Sequence, residues 1–264
     1  MPAAGGRRYA DAVAEVFWDR YDAALFDLDG VVTPTAEVHM RAWAAMFNDH
    51  LASIPGQPPY TDQDYFDYVD GKPRYDGVRT FLLARGIPLP EGEPTDGPEA
   101  ETVIGLGNRK NDYFAKVLSD EGVEPYPGSV RLLDALRELG VPMAIVSSSR
   151  NAPAVLAAAG VTDYFQTVMH GGIAAERHLA GKPAPDTFLA AAETLGATAD
   201  RAVVLEDAIS GVQAGRAGDF GLVVGVDRGA GANALTEAGA DVVVTDLVEL
   251  LPDDAGDGQG EVSS

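Results

Sequence analysis

The sequence predicts an α/β fold, a Rossmann-like doubly wound parallel sheet core with an inserted α-helical cap domain. Five short apolar runs are nearly continuous rather than alternating, as is typical of strands buried on both faces of a parallel sheet. Stretches with apolar residues three and four positions apart lie between these runs and predict helices. A long helical segment without any such strand separates the first run from the second.

The predicted strands and helices alternate along the chain. The strands are "AALFDLD", "VPMAIVSSS", "AVVLEDA", "GLVVGVD" and "ADVVVTD", and the helices of the core include "SVRLLDALRELG", "APAVLAAAG" and "DTFLAAAETLG". Each of these helices ends at a glycine that suits a helix C-terminus, namely Gly140, Gly160 and Gly196. This alternation predicts that the core sheet is parallel and covered by helices.

The segment between the first two strands predicts a separate cap. It contains "AEVHMRAWAAMFNDHL" and "YDGVRTFLLARG" among its helical stretches, and an insertion of this length over a sheet suits a lid. We therefore expect a core of residues 1–33 and 126–252 and a cap of residues 34–125. The polar, glycine-rich residues 253–264 predict a disordered tail.

Composition excludes several classes of function. The net charge of −22 argues against nucleic-acid binding, which needs a basic surface. The absence of cysteine excludes disulfides and thiolate chemistry. No apolar stretch is long enough to span a bilayer, and the N-terminus lacks the apolar run of a signal peptide. We expect a cytoplasmic protein that binds neither nucleic acid nor membrane.

Polar residues follow the C-terminal ends of three predicted strands. Asp27 and Asp29 close the first, Ser147 begins a serine run at the second, and Glu206 and Asp207 close the third. Ligands of open α/β sheets bind outside the carboxyl ends of the strands, so we expect these groups to converge.

The paired aspartates indicate a metal-dependent reaction. Side chains two apart on a strand face the same way, so Asp27 and Asp29 can reach one reacting group, and their mutual repulsion calls for a cation or for different protonation states. Without a His/Cys cluster, oxygen ligands indicate Mg²⁺, with Glu206 and Asp207 as natural further ligands. This combination favours phosphoryl transfer with an aspartate as the nucleophile.

Four motifs resemble, in order and spacing, those of the haloacid dehalogenase-like phosphotransferases. They are "FDLDGVV", "VSSS", "GKPAPDTF" and "LEDAISGVQAG". The resemblance implies that Asp27 forms an aspartyl-phosphate, that Asp29 is the general acid/base, and that Ser147 and Lys182 hold the transferring phosphoryl group. The implied Mg²⁺ site comprises Asp27, Asp29 through its backbone carbonyl, Glu206 and Asp207. The family is often monomeric, so we expect a monomer.

The segments "TAEVHMRAW", "NRKNDYFAKVL" and "SSSRNAP" are similar to the β-phosphoglucomutase branch of that family. This similarity implies interconversion of β-D-glucose 1-phosphate and glucose 6-phosphate through a glucose 1,6-bisphosphate. It implies that His39 contacts Asp29 and that Lys110 reaches from the cap toward the site.

The same similarity implies a second phosphate-binding site, distant from the aspartates. The implied residues are Ser149, Arg150 and Asn151, with Arg74 as a clamp from the cap; a surface role for Arg74 fits the sequence equally well. They precede a predicted helix whose N-terminal amides favour anions. Pro34 departs from the family, which often has an aspartate there.

Three functions remain open at this point. The first is the sugar-phosphate mutase, and the second is a Mg²⁺-dependent sugar-phosphate phosphatase, in which water replaces the sugar as the acceptor. The four motifs serve both reactions, so they do not separate them. The third is a sugar-phosphate-binding protein on an inactive enzyme fold, which the complete set of catalytic residue types argues against.

Overall fold

The computed structural model describes residues 16–252 of the chain. Within them, six strands form one parallel sheet in the order β3-β2-β1-β4-β5-β6. The strands are β1 Ala23–Phe26, β2 Met143–Ser147, β3 Thr167–His170, β4 Ala202–Glu206, β5 Leu222–Val226 and β6 Val242–Val244. The chain runs outward from β1 in both directions, so the sheet is doubly wound and the predicted fold class is confirmed.

The central strands are buried because helices cover both faces of the sheet. In β1 the side chains of Ala24 and Phe26 pack on one face, and those of Ala23 and Leu25 pack on the other. Successive side chains of a strand point to opposite faces, so a strand covered on both sides must be apolar throughout.

The described residues contain ten α-helices. They are α1 Thr35–Ala52, α2 Asp62–Tyr68, α3 Arg74–Ala84, α4 Val103–Glu121, α5 Pro127–Glu138, α6 Ala152–Ala159, α7 Gly171–Glu176, α8 Asp186–Thr194, α9 Ile209–Ala217 and α10 Ala232–Ala238. None of these helices has both the length and the hydrophobicity needed to cross a membrane. Leu132 of α5 packs on one face of the sheet, and Phe188 of α8 packs on the other.

Helices α1 to α4 form a third apolar cluster, apart from the two on the sheet faces, and we call this part of the chain the cap. Phe47 of α1 stacks on Tyr60 at a centroid distance of 5.0 Å and packs against the tilted ring of Phe81 at 4.1 Å, and all three rings are buried. The cap therefore has an apolar core of its own, separate from the clusters on the two faces of the sheet. The predicted boundaries at residues 33/34 and 125/126 stay a prediction.

Several elements were not anticipated from the sequence. Strand β3 has the sequence TVMH and lies at the sheet edge, where only Met169 is buried, so it lacks a continuous apolar run. Helix α2 begins at the capping box of Thr61 and Asp64, within a segment rich in proline and polar residues. The predicted disordered tail, residues 253–264, lies outside the described residues, as do residues 1–15 of the predicted core.

Candidate active site

The cavity between the sheet and the cap has a volume of about 550 Å³. It lies at the carboxyl ends of β1 and β4, where the strand order reverses and where open α/β sheets bind ligands. All the residues predicted for the site line this cavity except Lys182, whose buried side chain contacts Asp27 and Glu206.

Lys182 connects two buried carboxylates on neighbouring strands. Its Nζ lies 2.5 Å from Asp27 Oδ1 and 2.5 Å from Glu206 Oε1, and it donates to the carbonyl of Val146 at 2.9 Å. The other carboxylate oxygen of Glu206 accepts from the backbone N–H of Ala208 at 2.9 Å. Both oxygens of Glu206 are therefore engaged by the protein, and its carboxylate holds Lys182 in place.

The charges around Lys182 are strongly coupled. Burial alone would lower the pKa of Lys182, but Asp27 and Glu206 outweigh it and raise that pKa, so the lysine is a permanent cation. Burial raises the pKa of Asp27, Glu206 and Asp29 raise it further, and Lys182 opposes them. One lysine does not compensate all the negative charge at these strand ends.

Asp29 is held by residues at the start of the cap. Its Oδ1 accepts a hydrogen bond from Thr35 Oγ1 and lies 3.4 Å from His39 Nε2. Thr33 supports this arrangement, since its hydroxyl lies 2.8 Å from that of Thr35. Burial would raise the pKa of Asp29, but the effects of His39, Thr35 and Lys110 together lower it, so the carboxylate is ionised.

His39 and Lys110 extend this network into the cap. The Nδ1 of His39 contacts Lys110 Nζ, and the imidazole stacks on Phe114 with a centroid distance of 4.0 Å. Burial and then the positive charge of Lys110 lower the pKa of His39, so its ring is neutral. A neutral ring that accepts at Nδ1 from Lys110 carries its proton on Nε2, which faces Asp29.

Asp207 lies directly against the backbone that follows the aspartate pair. A Cβ on Gly30 would come within 1.9 Å of Asp207 Oδ2, and Gly30 has a φ of +86°, so the position requires glycine. Burial raises the pKa of Asp207, and the negative charges of Glu206 and Asp27 raise it further. Asp207 is thus a carboxylate placed where its own charge is unfavourable without a cation.

These groups fit a hard divalent cation. The available donors are oxygens only, and Gly30 allows the Asp207 carboxylate to approach the Asp29–Gly30 backbone. Within residues 16–252, no three His, Cys, Asp or Glu side chains are arranged to enclose a metal by themselves. Mg²⁺ is commonly bound by one or two carboxylates together with water and substrate phosphates, so the absence of a closed cage is compatible with it.

The loop after β2 contributes the other core residues of the cavity. Ser147 is buried and accepts from the backbone N–H of Ser149 at 3.1 Å, and the hydroxyl of Ser149 accepts from the N–H of Asn151 at 3.1 Å. These bonds form the turn that precedes α6. The Arg150 side chain is exposed at the cavity.

Arg74 enters the cavity from the N-terminus of α3. Its Nη2 donates to Tyr75 Oη at 3.0 Å and to Asn108 Oδ1 at 3.3 Å, and both partners are neutral. Among the described residues, its buried Nε has no hydrogen-bond partner. This guanidinium therefore keeps its positive charge and part of its donor capacity for an anion.

Sequence reasoning missed several residues that position the site. Thr35 holds Asp29, Ser148 Oγ donates to the carbonyl of Gly71 in the cap at 2.9 Å, and Asn111 Oδ1 accepts from Asn151 Nδ2 at 2.6 Å. Asn111 and Ser148 each lie beside a residue that was predicted, so adjacency was the available signal. Contacts between cap and core leave no periodic pattern in the sequence.

The fold and the site define a class of phosphoryl-transfer enzymes, and the comparisons with known proteins agree. The sequence model of the haloacid dehalogenase-like hydrolases matches residues 21–219. The chain belongs to this family.

Particular relatives are named for one activity. The chain is 51% identical to the beta-phosphoglucomutase of Mycobacterium bovis over 245 residues, which cover 88% of this chain and 92% of that protein. It is 34% identical to the beta-phosphoglucomutase of Bacillus subtilis over 230 residues, 86% and 91% of the two chains. The crystal structure of beta-phosphoglucomutase from Clostridium difficile matches with a TM-score of 0.70 at 24% identity, over 87% and 93% of the chains, a likeness of fold.

Proposed function

We propose that the chain is a phosphosugar mutase that interconverts β-D-glucose 1-phosphate and glucose 6-phosphate through an aspartyl-phosphate and glucose 1,6-bisphosphate. The observation that carries the proposal is that one cavity joins the aspartate pair to two separate arginines, Arg74 of the cap and Arg150 of the core. A bisphosphorylated sugar needs both a transfer site and a second anion site. The identity to proteins named for this activity supports the same conclusion.

Asp27 is the nucleophile in this proposal. One of its carboxylate oxygens bonds to phosphorus while the bond from phosphorus to the sugar oxygen breaks. The Lys182 ammonium contacts Asp27, so its charge stabilises the transferring phosphoryl oxygens. Ser147 lines the same end of the cavity and supplies a hydroxyl donor.

Asp29 is the general acid/base. Its lowered pKa favours the ionised form, so it first takes the proton from the C6 hydroxyl as that oxygen attacks the phosphoryl group on Asp27. It then returns the proton to the C1 oxygen when the second phosphoryl group moves to Asp27. His39 and Thr35 hold the carboxylate in one orientation throughout, which connects the acid/base to the cap.

We propose Mg²⁺ as the cofactor, held by Asp27, Asp207 and the backbone carbonyl of Asp29, with Glu206 beside it. Bound Mg²⁺ would neutralise charge on the phosphoryl oxygens. The uncompensated carboxylates at the strand ends support this assignment.

The distal phosphate is assigned to Ser149, Arg150 and Asn151 together with Arg74 and the nearby Lys110. A guanidinium offers two parallel donors to phosphate oxygens, and arginine keeps its charge at all relevant pH values. Because Arg74 belongs to the cap, the distal phosphate favours the closed arrangement, which excludes water from the aspartyl-phosphate.

The test is a turnover assay with β-glucose 1-phosphate, Mg²⁺ and a trace of glucose 1,6-bisphosphate, in which glucose 6-phosphate and inorganic phosphate are both measured. The mutase forms glucose 6-phosphate with little phosphate release, and Asp27→Asn abolishes turnover. Phosphate release without glucose 6-phosphate would refute the proposal.

A matched pair of arginine variants tests the second anion site. Arg74→Ala is expected to lower mutase kcat/KM by about 10²-fold or more, because two charge-assisted hydrogen bonds to phosphate are lost. Arg79→Ala is the control, since Arg79 lines the same cavity but is bound by Asp76 and Glu91. Equal losses in the two variants would contradict the clamp role of Arg74.

The alternative function is a sugar-phosphate phosphatase. It uses the same Asp27, Asp29 and Lys182, and the name of the matching family includes hydrolases. The assay above separates it from the mutase by the ratio of the two products. A cytoplasmic location and a monomeric state are part of our proposal, and sedimentation velocity tests the second.

A further inference from the structure

Asp70 is an acidic residue of the cap that the mechanism above does not use. It lies in the loop between α2 and α3 and lines the same cavity as Asp27, Glu206 and Asp207. The backbone N–H of Asp70 donates to the carbonyl of Tyr65 at 2.9 Å, at the end of α2. The end of α2 therefore holds the backbone of Asp70 at the cavity.

The Asp70 loop is in direct contact with the core beside the proposed cation site. The carbonyl of Gly71 accepts from Ser148 Oγ at 2.9 Å. A Cβ on Gly71 would lie 2.0 Å from Ser210 Oγ and 3.3 Å from the Cβ of Ala208, the residue that follows Asp207. The loop that carries Asp70 therefore lies against the residues that follow Asp207.

The approach of Asp70 adds negative charge to a site that already has an excess of it. Burial raises the pKa of Asp70 to about 6, and the charge of Glu206 contributes to that rise. Asp70 lines one cavity with the core carboxylates, so like charges oppose closure of the cap over them. A divalent cation bound among these carboxylates reverses the sign of the interaction.

We propose that Asp70 couples closure of the cap to binding of the divalent cation. This inference rests on the proposed Mg²⁺ site and adds that the charge of Asp70 acts on the cation from outside its ligand set. Coupling between two events is reciprocal, so the cation favours the closed cap and the closed cap binds the cation more tightly. Asp70 is a positioning residue, and the cap closes with full effect only over a loaded site.

Two measurements on the full chain test the coupling, and neither depends on turnover. Calorimetric titration with MgCl₂ gives the affinity of the cation. Cap closure is followed by fluorescence energy transfer between dyes on Leu83→Cys of the cap and Leu139→Cys of the core, which are 83% and 54% exposed. The chain has no cysteine, so these two labels are specific.

Asp70→Asn is the informative variant because it removes the charge and keeps the shape. We expect its Mg²⁺ affinity to fall about fivefold or more, and its energy transfer without Mg²⁺ to match that with Mg²⁺. Asp76→Asn is the control, since Asp76 lines the same cavity but is paired with Arg79. Asp70→Ser serves as a second variant if Asp70→Asn folds poorly.

The outcomes separate this inference from the function on which it rests. One outcome is that the wild-type protein binds Mg²⁺ and that Asp70→Asn keeps both the affinity and the Mg²⁺-dependent change in energy transfer. The proposed coupling is then wrong, and the assignment of Mg²⁺ as the cofactor is unaffected. If the wild-type protein binds no Mg²⁺, the cofactor assignment is wrong and the coupling falls with it.

Discussion

Two buried lysines in this molecule lie at opposite sides of the same site and have opposite electrostatic character. Lys182 of the core contacts two carboxylates, which raise its pKa. Lys110 of the cap is 3% exposed and contacts His39 and the rings of Trp43 and Phe114 at 5.2 and 5.1 Å. Burial and the nearby Arg74 lower the pKa of Lys110 to about 7, although Asp29 opposes them.

The difference shows that the core and the cap contribute in different ways to the site. In the core, Lys182 stays charged because the two carboxylates that it contacts lie at the ends of neighbouring strands of the same sheet. The cap holds a lysine whose charge is marginal, since its closest contacts are a neutral imidazole and aromatic rings. The core is therefore preorganised for the transfer chemistry, and the contribution of the cap depends on closure and on pH.

The largest effects on stability and activity are expected for Lys182→Met, which tests the role of the core lysine. It leaves Asp27 and the 1%-exposed Glu206 facing each other without a cation. We expect the free energy of unfolding to fall by about 3–5 kcal/mol and kcat/KM to fall by about 10²–10³-fold. Urea unfolding and initial rates measure the two losses.

A double variant serves as the control for that experiment. Lys182→Met combined with Glu206→Gln removes one of the two uncompensated charges, so part of the stability should return while activity stays low. Unchanged stability of Lys182→Met would contradict the role of Lys182 as the compensating charge.

Lys110→Met is expected to have the opposite effect on stability. Between about pH 7 and pH 10.5 the unfolded chain binds a proton at Lys110 that the folded chain has lost, so this lysine makes wild-type stability rise with pH. Methionine removes that linkage and suits the aromatic surroundings. The variant should be more stable by about 2–4 kcal/mol at pH 7, and the advantage should disappear near pH 10.5.

Urea unfolding of wild type and Lys110→Met at pH 7, 8.5 and 10 measures this difference in stability. Titratable groups common to both proteins contribute equally to both pH profiles, so their effects cancel in the difference. Parallel pH profiles for the two proteins would show that Lys110 keeps its ordinary pKa. In that case Lys110 would carry a charge at neutral pH, as Lys182 does, and the comparison would fail.

The smallest effect is expected for Ser148→Ala, which tests whether the cap contributes to catalysis through its closure onto the core. The variant loses one hydrogen bond between core and cap, to the carbonyl of Gly71. We expect KM to rise about three- to tenfold with kcat nearly unchanged. Ser53→Ala is the control, because Ser53 donates to the carbonyl of His50 within the cap. A loss confined to kcat would place Ser148 in the chemistry instead.

The sequence predicted the buried strands because burial on both faces requires a continuous apolar run, as in β1 and β4. It also placed Asp27, Glu206 and Asp207 at one edge, since parallel strands present their carboxyl ends together. The sequence did not predict strand β3, because this strand lies at the sheet edge, where only Met169 is buried and no continuous apolar run is needed. The boundaries of the cap and the roles of the site residues stay predictions.

By itself, the sequence determined which segments are buried and which chemical groups stand at the strand ends, because both depend on local patterns of residues. Only the tertiary structure decided the charge of each group. Lys182 lies 155 positions from Asp27 in the chain, and Lys110 lies 71 positions from His39. Protonation depends on distances and burial in space, so two lysines of the same type take opposite roles in one cavity.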